Sequence, residues 1–183
     1  MKKIVILFSG TGFNAENIVK KLHGVECNVV CGITNKKDAK GIQKLEALGI
    51  KSHILEHTNF KSREAFDAEL VKLINAQKPD LVVLSGFMRI LSNVFTSNIK
   101  AINLHPSLLP KYKGAKAIEQ SFESNDAECG VSVHWVNGEL DGGEIILQKS
   151  FKRDKDETFE SFTQKIKQKE YEIVPEAIIK ILK

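Results

Sequence analysis

The stretch Ile4-Val5-Ile6-Leu7-Phe8-Ser9-Gly10-Thr11-Gly12-Phe13-Asn14-Ala15 decides how the rest of the chain reads. Five consecutive apolar residues without polar alternation describe a strand covered on both faces, as in a parallel sheet, and the glycine-rich turn after it leads into a helix. Ile18, Val19 and Leu22 carry the apolar stripe of that helix. Val29-Val30-Cys31-Gly32-Ile33 then follows at a helix-sized interval as a second buried strand. Residues 4 to 34 are therefore read as a strand-helix-strand unit.

The same phrase recurs outward from this unit. Leu45 and Leu48 precede Gly49, Ser52 to Leu55 is short and extended, and Phe66, Leu70, Leu73 and Ile74 stripe a helix that must stop before Pro79. Leu81-Val82-Val83-Leu84 is the best central strand. Ala101-Ile102-Asn103-Leu104-His105 is another, closed by Pro106, which disfavours helix at the residue before it. Val131 to Val136 alternates, and Glu144 to Gln148 is expected to pair with it as an antiparallel edge hairpin around Asn137 to Gly143. The chain ends in helix, with Ile173-Val174-Pro175 marking a kink or a fresh start. Strands alternating with helices predict an α/β fold, an open, mostly parallel twisted sheet with helices on both faces. Residues 1–183 are expected to form a single domain, with ligands beyond the carboxyl ends of the strands.

Composition narrows the function. Hydrophobic residues make up 42% and charged residues 27% of the 183, as in an ordinary globular protein. Lys+Arg 27 against Asp+Glu 23 leaves a net charge of +4, too little for a chain that grips a nucleic-acid backbone but compatible with a small anionic ligand. The apolar run after Met1-Lys2-Lys3 is too short for a signal-peptide core or for the roughly 18 residues that span a bilayer. A cytoplasmic protein with neither nucleic-acid nor membrane partners is expected; its oligomeric state is not fixed by sequence. Cys27, Cys31 and Cys129 are odd in number and lack a C-x-x-C pair, so they read as reduced and mostly buried.

Several polar residues stand out, each with a plainer explanation beside it. Ser9 to Ala15 leaves a strand and enters a helix, so backbone N–H groups and the positive helix end should converge on one spot suited to phosphate. The pattern is G-x-G-x-x-A, but the second strand ends in Ile33-Thr34-Asn35 without the acidic residue a dinucleotide needs, and a tight turn alone would also explain it. Asn103 and His105, two apart on a strand, emerge on one face. An amide donor beside an imidazole can bind a developing oxyanion and relay a proton, or simply form a polar pair at a sheet end. Asp141 in Glu139-Leu140-Asp141-Gly142-Gly143 is explained by turn chemistry alone; if the loop folds back, its carboxylate would favour the imidazolium form of His105. Glu170 interrupts a helical stripe of Phe159, Phe162, Ile166, Ile173 and Ala177, so it either pairs with a lysine such as Lys167 or meets a ligand. Arg63 opens a helix and can be merely solvated, whereas Arg89 follows a buried strand and is better placed for an anionic tail. His53 and His57 lie outside any helical pattern, and no metal-binding spacing is present.

In combination these segments resemble the phosphoribosylglycinamide formyltransferase family, folate-dependent enzymes of purine synthesis. The matching stretches are Ser-Gly-Thr-Gly-Phe-Asn at 9 to 14, Ser62-Arg63-Glu64, Gly86-Phe87-Met88-Arg89-Ile90-Leu91, Asn103-Leu104-His105-Pro106-Ser107-Leu108-Leu109-Pro110, and Glu139 to Gly143. The resemblance implies a Rossmann-like formyltransferase fold and transfer of a formyl group from 10-formyltetrahydrofolate to the amine of glycinamide ribonucleotide, without metal. It implies that Asn103 and His105 stabilise the oxyanion and that Asp141 keeps His105 protonated. The backbone of Gly12, Phe13 and Asn14 would hold the ribonucleotide phosphate, with Lys167 near it and Glu170 on the ribose. Met88, Arg89, Ile90 and Leu91, with Asn103 and the loop of Asn137, Gly138, Glu139, Leu140 and Asp141, would line the folate site, Arg63 and Arg89 lying toward the anionic tail. On this resemblance the N-terminal half serves the ribonucleotide phosphate, and the C-terminal half serves folate and catalysis. Three positions depart from the family pattern: Lys167 stands where a Gln is common, Gly114-Ala115-Lys116-Ala117 lacks histidines, and Phe13 replaces a small polar residue. Relatives acting on methionyl-tRNA or an aminosugar nucleotide share the catalytic segment but usually carry further domains. Here only one strand and one helical region are expected after the Leu-Asp-Gly-Gly loop. A nucleotide-binding module without chemistry is disfavoured by the presence of Asn103, His105 and Asp141 together.

Overall fold

The computed structural model describes all 183 residues, which form two compact units, Met1–Ile102 with Leu182 and Asn103–Ile181 with Lys183. In the first, β1 (Lys3–Phe8) is the run that opened the sequence, and Ile4 to Phe8 are completely buried. Its backbone is paired on both edges as well: β1 lies parallel to β2 (Asn28–Thr34) and to β4 (Leu81–Leu84), placing Ile6 opposite Gly32 and Val83. β3 (Ser52–Ile54) adds to the far side of β2, again in parallel.

The connecting helices follow from local sequence. α1 (Phe13–Leu22) buries Ala15, Ile18, Val19 and Leu22 at helical spacing. α2 (Gly41–Ala47) is short. α3 (Arg63–Gln77) begins where it does because the Ser62 hydroxyl accepts the Ala65 N–H at 3.1 Å. It ends at Lys78, in the left-handed conformation, one residue before Pro79. α4 (Asn93–Thr96) was not foreseen, since four residues show no periodicity; the buried carboxylate of Asp67 on α3 accepts the Ser92 N–H at its start, at 2.6 Å.

β5 (Ala101–His105) runs through the boundary of the units. The second unit adds α5 (Ala117–Glu123), β6 (Glu128–Trp135), β7 (Ile145–Lys152) and α6 (Phe159–Leu182). The seven strands form one open mixed sheet in the order β3-β2-β1-β4-β5-β6-β7, mostly parallel and antiparallel at its β5-β6-β7 end, with helices around it. The expected edge hairpin is present and longer than the alternation suggested, pairing Glu128 with Lys152. Its register slips at one place: Val133 faces Leu147 but His134 faces Ile145, so Ile146 is an extra residue on β7, a bulge.

Of the kink or fresh start expected at Pro175, the fresh start is not found. α6 is one helix of 24 residues with Pro175 inside it. Proline removes one N–H from the ladder, yet Ile173, Val174, Ala177 and Ile178 are all buried around it, and that packing keeps the chain helical past the missing bond. All three cysteines are free and buried. No helix is long and apolar enough to cross a membrane.

Candidate active site

In the first unit, the turn from β1 to α1 is shaped by glycine. Gly12 sits at φ 71°, and a Cβ there would lie 2.3 Å from the Cα of Gly41, so both space and backbone angle demand glycine. Gly12, at the N-cap of α1, has no side chain to cap the helix, and its carbonyl accepts the Glu16 N–H at 2.8 Å. Phe13 is 45% exposed, and the Lys44 ammonium stands 4.4 Å from its ring centre, adding a cation beside the helix start. Ser9, buried below the turn, donates to Asn35 Oδ1 at 2.5 Å and accepts the Met88 N–H at 2.7 Å, so one hydroxyl ties this turn to the segment after β4.

That segment presents apolar side chains to solvent: Met88 is 72% exposed and Ile90 53%, an unfavourable arrangement for residues with no partner to meet. Leu91 is half-buried. Arg89 is half-buried with its guanidinium 5.4 Å from the Phe66 ring centre, whereas Arg63 is exposed.

The second unit gathers the residues singled out on β5 and in the Leu-Asp-Gly-Gly loop. Asn103 and His105 leave one face of β5, and Asp141 reaches both: His105 Nδ1 is 3.4 Å from Asp141 Oδ2, and Asn103 Nδ2 donates to Asp141 Oδ1 at 3.4 Å. His105 and Asp141 are buried. Asp141 holds a left-handed backbone (φ 51°), which aspartate tolerates in a turn, and its side chain makes contacts beyond the turn. The carboxylate also accepts the Gly114 N–H at 2.8 Å. Burial by itself pushes the Asp141 carboxyl up, but the adjacent His134 and the Gly114 N–H, with the charge that His105 can carry, outweigh it and hold it below the ordinary carboxylate value.

The other nitrogen of His105, Nε2, lies 2.7 Å from the Tyr112 carbonyl oxygen. Both ring nitrogens thus face oxygen acceptors, and both can donate only when the ring is the imidazolium. The segment behind them is pinned: Ser132 Oγ donates to the Ser107 carbonyl at 2.7 Å and accepts from Leu109 N–H at 3.1 Å and Gln148 Nε2 at 2.9 Å.

Glycines shape the loop carrying Asp141. A Cβ at Gly142 would lie 2.3 Å from Glu139 Cδ, and one at Gly143 only 1.7 Å from the Trp135 carbonyl oxygen. Asn137 Oδ1 accepts the Glu139 N–H at 2.9 Å, Gly138 is open on its Cβ side, and Leu140 is 52% exposed. On α6, Glu170 is half-buried between Ile166 and Ile173, and Lys167 is exposed. No group of three or more His, Cys, Asp or Glu side chains is placed to hold a metal ion.

The sequence reading missed two contributors. Gly114, met only as a departure from a family pattern, supplies a backbone donor to Asp141. His134 is 2% exposed, with Nε2 3.2 Å from Asn103 Nδ2 and 3.5 Å from Asp141 Oδ1. The sequence gives little signal for it: His134 shares with Ser132 the polar face of the alternation Val131-Ser132-Val133-His134-Trp135, a position that reads as solvent-facing although both side chains are buried.

Residues 2–178 match the family described as formyl transferase. The chain is 42% identical over 176 residues to the phosphoribosylglycinamide formyltransferase of Escherichia coli (strain K12), covering 94% of this chain and 83% of that protein. The crystal structure of phosphoribosylglycinamide formyltransferase from Campylobacter jejuni subsp. jejuni NCTC 11168 matches with a TM-score of 0.96 at 50% identity, over 100% of this chain and 98% of that one. The enzyme of the same name from Streptococcus pneumoniae TIGR4 matches with a TM-score of 0.93 at 31% identity, with both chains covered in full. With a match running through nearly the whole sequence and relatives covered over most of their own length, the chain belongs to the formyl transferase family.

Proposed function

We propose that this protein transfers the formyl group of 10-formyltetrahydrofolate to the amine of N1-(5-phospho-D-ribosyl)glycinamide, giving the formylated ribonucleotide and tetrahydrofolate in purine biosynthesis, as a cytoplasmic enzyme acting on small molecules. The observation that carries the reading is the buried contact of Asp141 with both Asn103 and His105. The amine nitrogen attacks the formyl carbon, the carbonyl π electrons move onto oxygen, and the resulting oxyanion needs donors already in place. Asn103 contributes an N–H and His105 an imidazolium N–H. An oxyanion is a much stronger acceptor than a neutral carbonyl, so it displaces the Tyr112 carbonyl from His105 Nε2 as charge develops. Collapse re-forms the carbonyl and breaks the bond to N10 of the folate. The proton lost by the amine ends on that nitrogen, relayed through His105 and water beside Asp141.

The remaining assignments rest on each segment's own chemistry. The backbone of Gly12, Phe13 and Asn14, where the glycine-rich turn enters α1, presents the positive helix end to the ribonucleotide phosphate. Lys167 adds charge for that phosphate and Glu170 accepts ribose hydroxyls. The exposed apolar side chains of Met88 and Ile90, with Leu91 and residues 137–141, cover the pteridine, and Arg63 and Arg89 meet the carboxylates of the folate tail. The test is a panel: purified protein with a 10-formylfolate donor and, in turn, glycinamide ribonucleotide, an aminosugar nucleotide and methionyl-tRNA. Turnover with the first alone is the expected result; turnover only with either of the others, or binding without turnover, ends this reading.

A further inference from the structure

We infer that His134 is a positioning residue that acts through Asn103, accepting one of its amide hydrogens so that the other is aimed at the reacting carbonyl. The inference rests on the assignment of Asn103 as an oxyanion donor. His134 Nδ1 lies 2.8 Å from the carbonyl oxygen of Trp135, an atom that only accepts, so Nδ1 carries a hydrogen. In the neutral ring Nε2 is then a lone pair. The atom nearest to that lone pair is Asn103 Nδ2, at 3.2 Å.

The orientation of the Asn103 amide is fixed independently by Asp141. Nδ2 is 3.4 Å from Asp141 Oδ1, and the reversed amide would set its oxygen against a carboxylate oxygen. The NH2 group therefore faces both acceptors, which are themselves 3.5 Å apart. These three separations close a triangle with an angle of about 60° at the amide nitrogen, half the roughly 120° between the two N–H bonds of a planar amide. One N–H directed between the acceptors serves both, and the second points away from both. Without His134 the amide is held by one long contact to Asp141 and can rotate; with it, the free N–H has one direction.

The backbone is arranged for this contact. The bulge at Ile146 of β7 lies across from His134, where the register passes from Val133–Leu147 to His134–Ile145, and bulges change the local twist and the aim of side chains beside them. Gly143 is required at the same place, because any Cβ there would strike the Trp135 carbonyl that fixes the ring tautomer.

Two substitutions separate this role from a structural one. In His134→Gln the side-chain amide reaches the position of Nε2 and can accept from Asn103; in His134→Asn it reaches only Nδ1 and keeps the Trp135 contact. The expected result is a kcat for His134→Gln within about threefold of the parent. His134→Asn is expected to lose at least about tenfold, with little change in KM, short of the roughly 100- to 1000-fold that follows removal of an oxyanion donor itself. The reverse order, or parental kcat in both, overturns the inference and makes the Trp135 contact the purpose of the histidine. Nitrogen-15 NMR of histidine-labelled protein decides without any variant. A neutral His134 protonated at Nδ1 is expected, and an Nε2–H tautomer or an imidazolium across the active pH range overturns the claim even if both variants fail to fold. Asn103→Ala, measured in parallel, isolates the underlying reading: parental kcat there refutes the role of Asn103, whereas a large loss combined with the reverse order at position 134 refutes only the role of His134.

Discussion

At the residue scale, Asn103, His105 and Asp141 are predicted to matter in the transition state rather than in binding. Asn103→Ala or His105→Ala should lower kcat by about 100-fold or more with modest change in KM, because each donor is worth most when the oxygen is fully charged. Steady-state kinetics with the natural substrate pair checks this; a raised KM at unchanged kcat would mean that the pair merely binds. Asp141 has a second consequence. Its carboxyl is held below the ordinary value by its donors, so the ionised form stabilises the fold at every pH above the unfolded-state value near 3.9, and that stabilisation fades as pH falls through the lower folded value. The Tm margin of the parent over Asp141→Asn should therefore be present above about pH 4 and shrink below it. A margin that widens on acidification contradicts the arrangement of donors.

At the element scale, the informative features are turns and caps. Gly12→Ala places a methyl against Gly41 and forces a left-handed alanine, so it should both destabilise the first unit and raise KM for the ribonucleotide while sparing kcat. Phosphate competition titrations read the binding loss directly, and parental affinity would remove this turn from the site. At the start of α3, Ser62→Ala removes the oxygen that accepts the Ala65 N–H and should cost about 1 kcal/mol, seen as a lower Tm with kcat unchanged. These positions were legible in the chain because glycine at a strand-to-helix turn and serine before a helix have local physical meanings. α4 and α5 were not legible, since neither is long enough to display a period, and the continuation of α6 past Pro175 was not, because burial on either side of it is a tertiary fact.

At the scale of the whole molecule, stability rests on cores that the apolar runs announced. Ile4 to Phe8 have no exposed surface, so Ile6→Ala should cost about 2 to 5 kcal/mol. At about 2 to 4 °C of Tm per kcal/mol for a chain of this size, calorimetry would resolve the loss easily. A shift of under 2 °C would mean that β1 is not the centre of its unit. The alternation of buried runs with amphipathic stripes dictated strands, helices and a mostly parallel sheet, because period and run length are properties of neighbouring residues. The spacing of Asn103 and His105 likewise dictated that they share a face. What no local pattern contains is the return of the Asp141 loop to His105, the contribution of Gly114, or the placing of His134 against Asn103. Those contacts join residues from about 30 to 40 positions apart or across a bulged hairpin. Only the folded chain decides them, because only there do burial and backbone geometry select one partner for each polar atom.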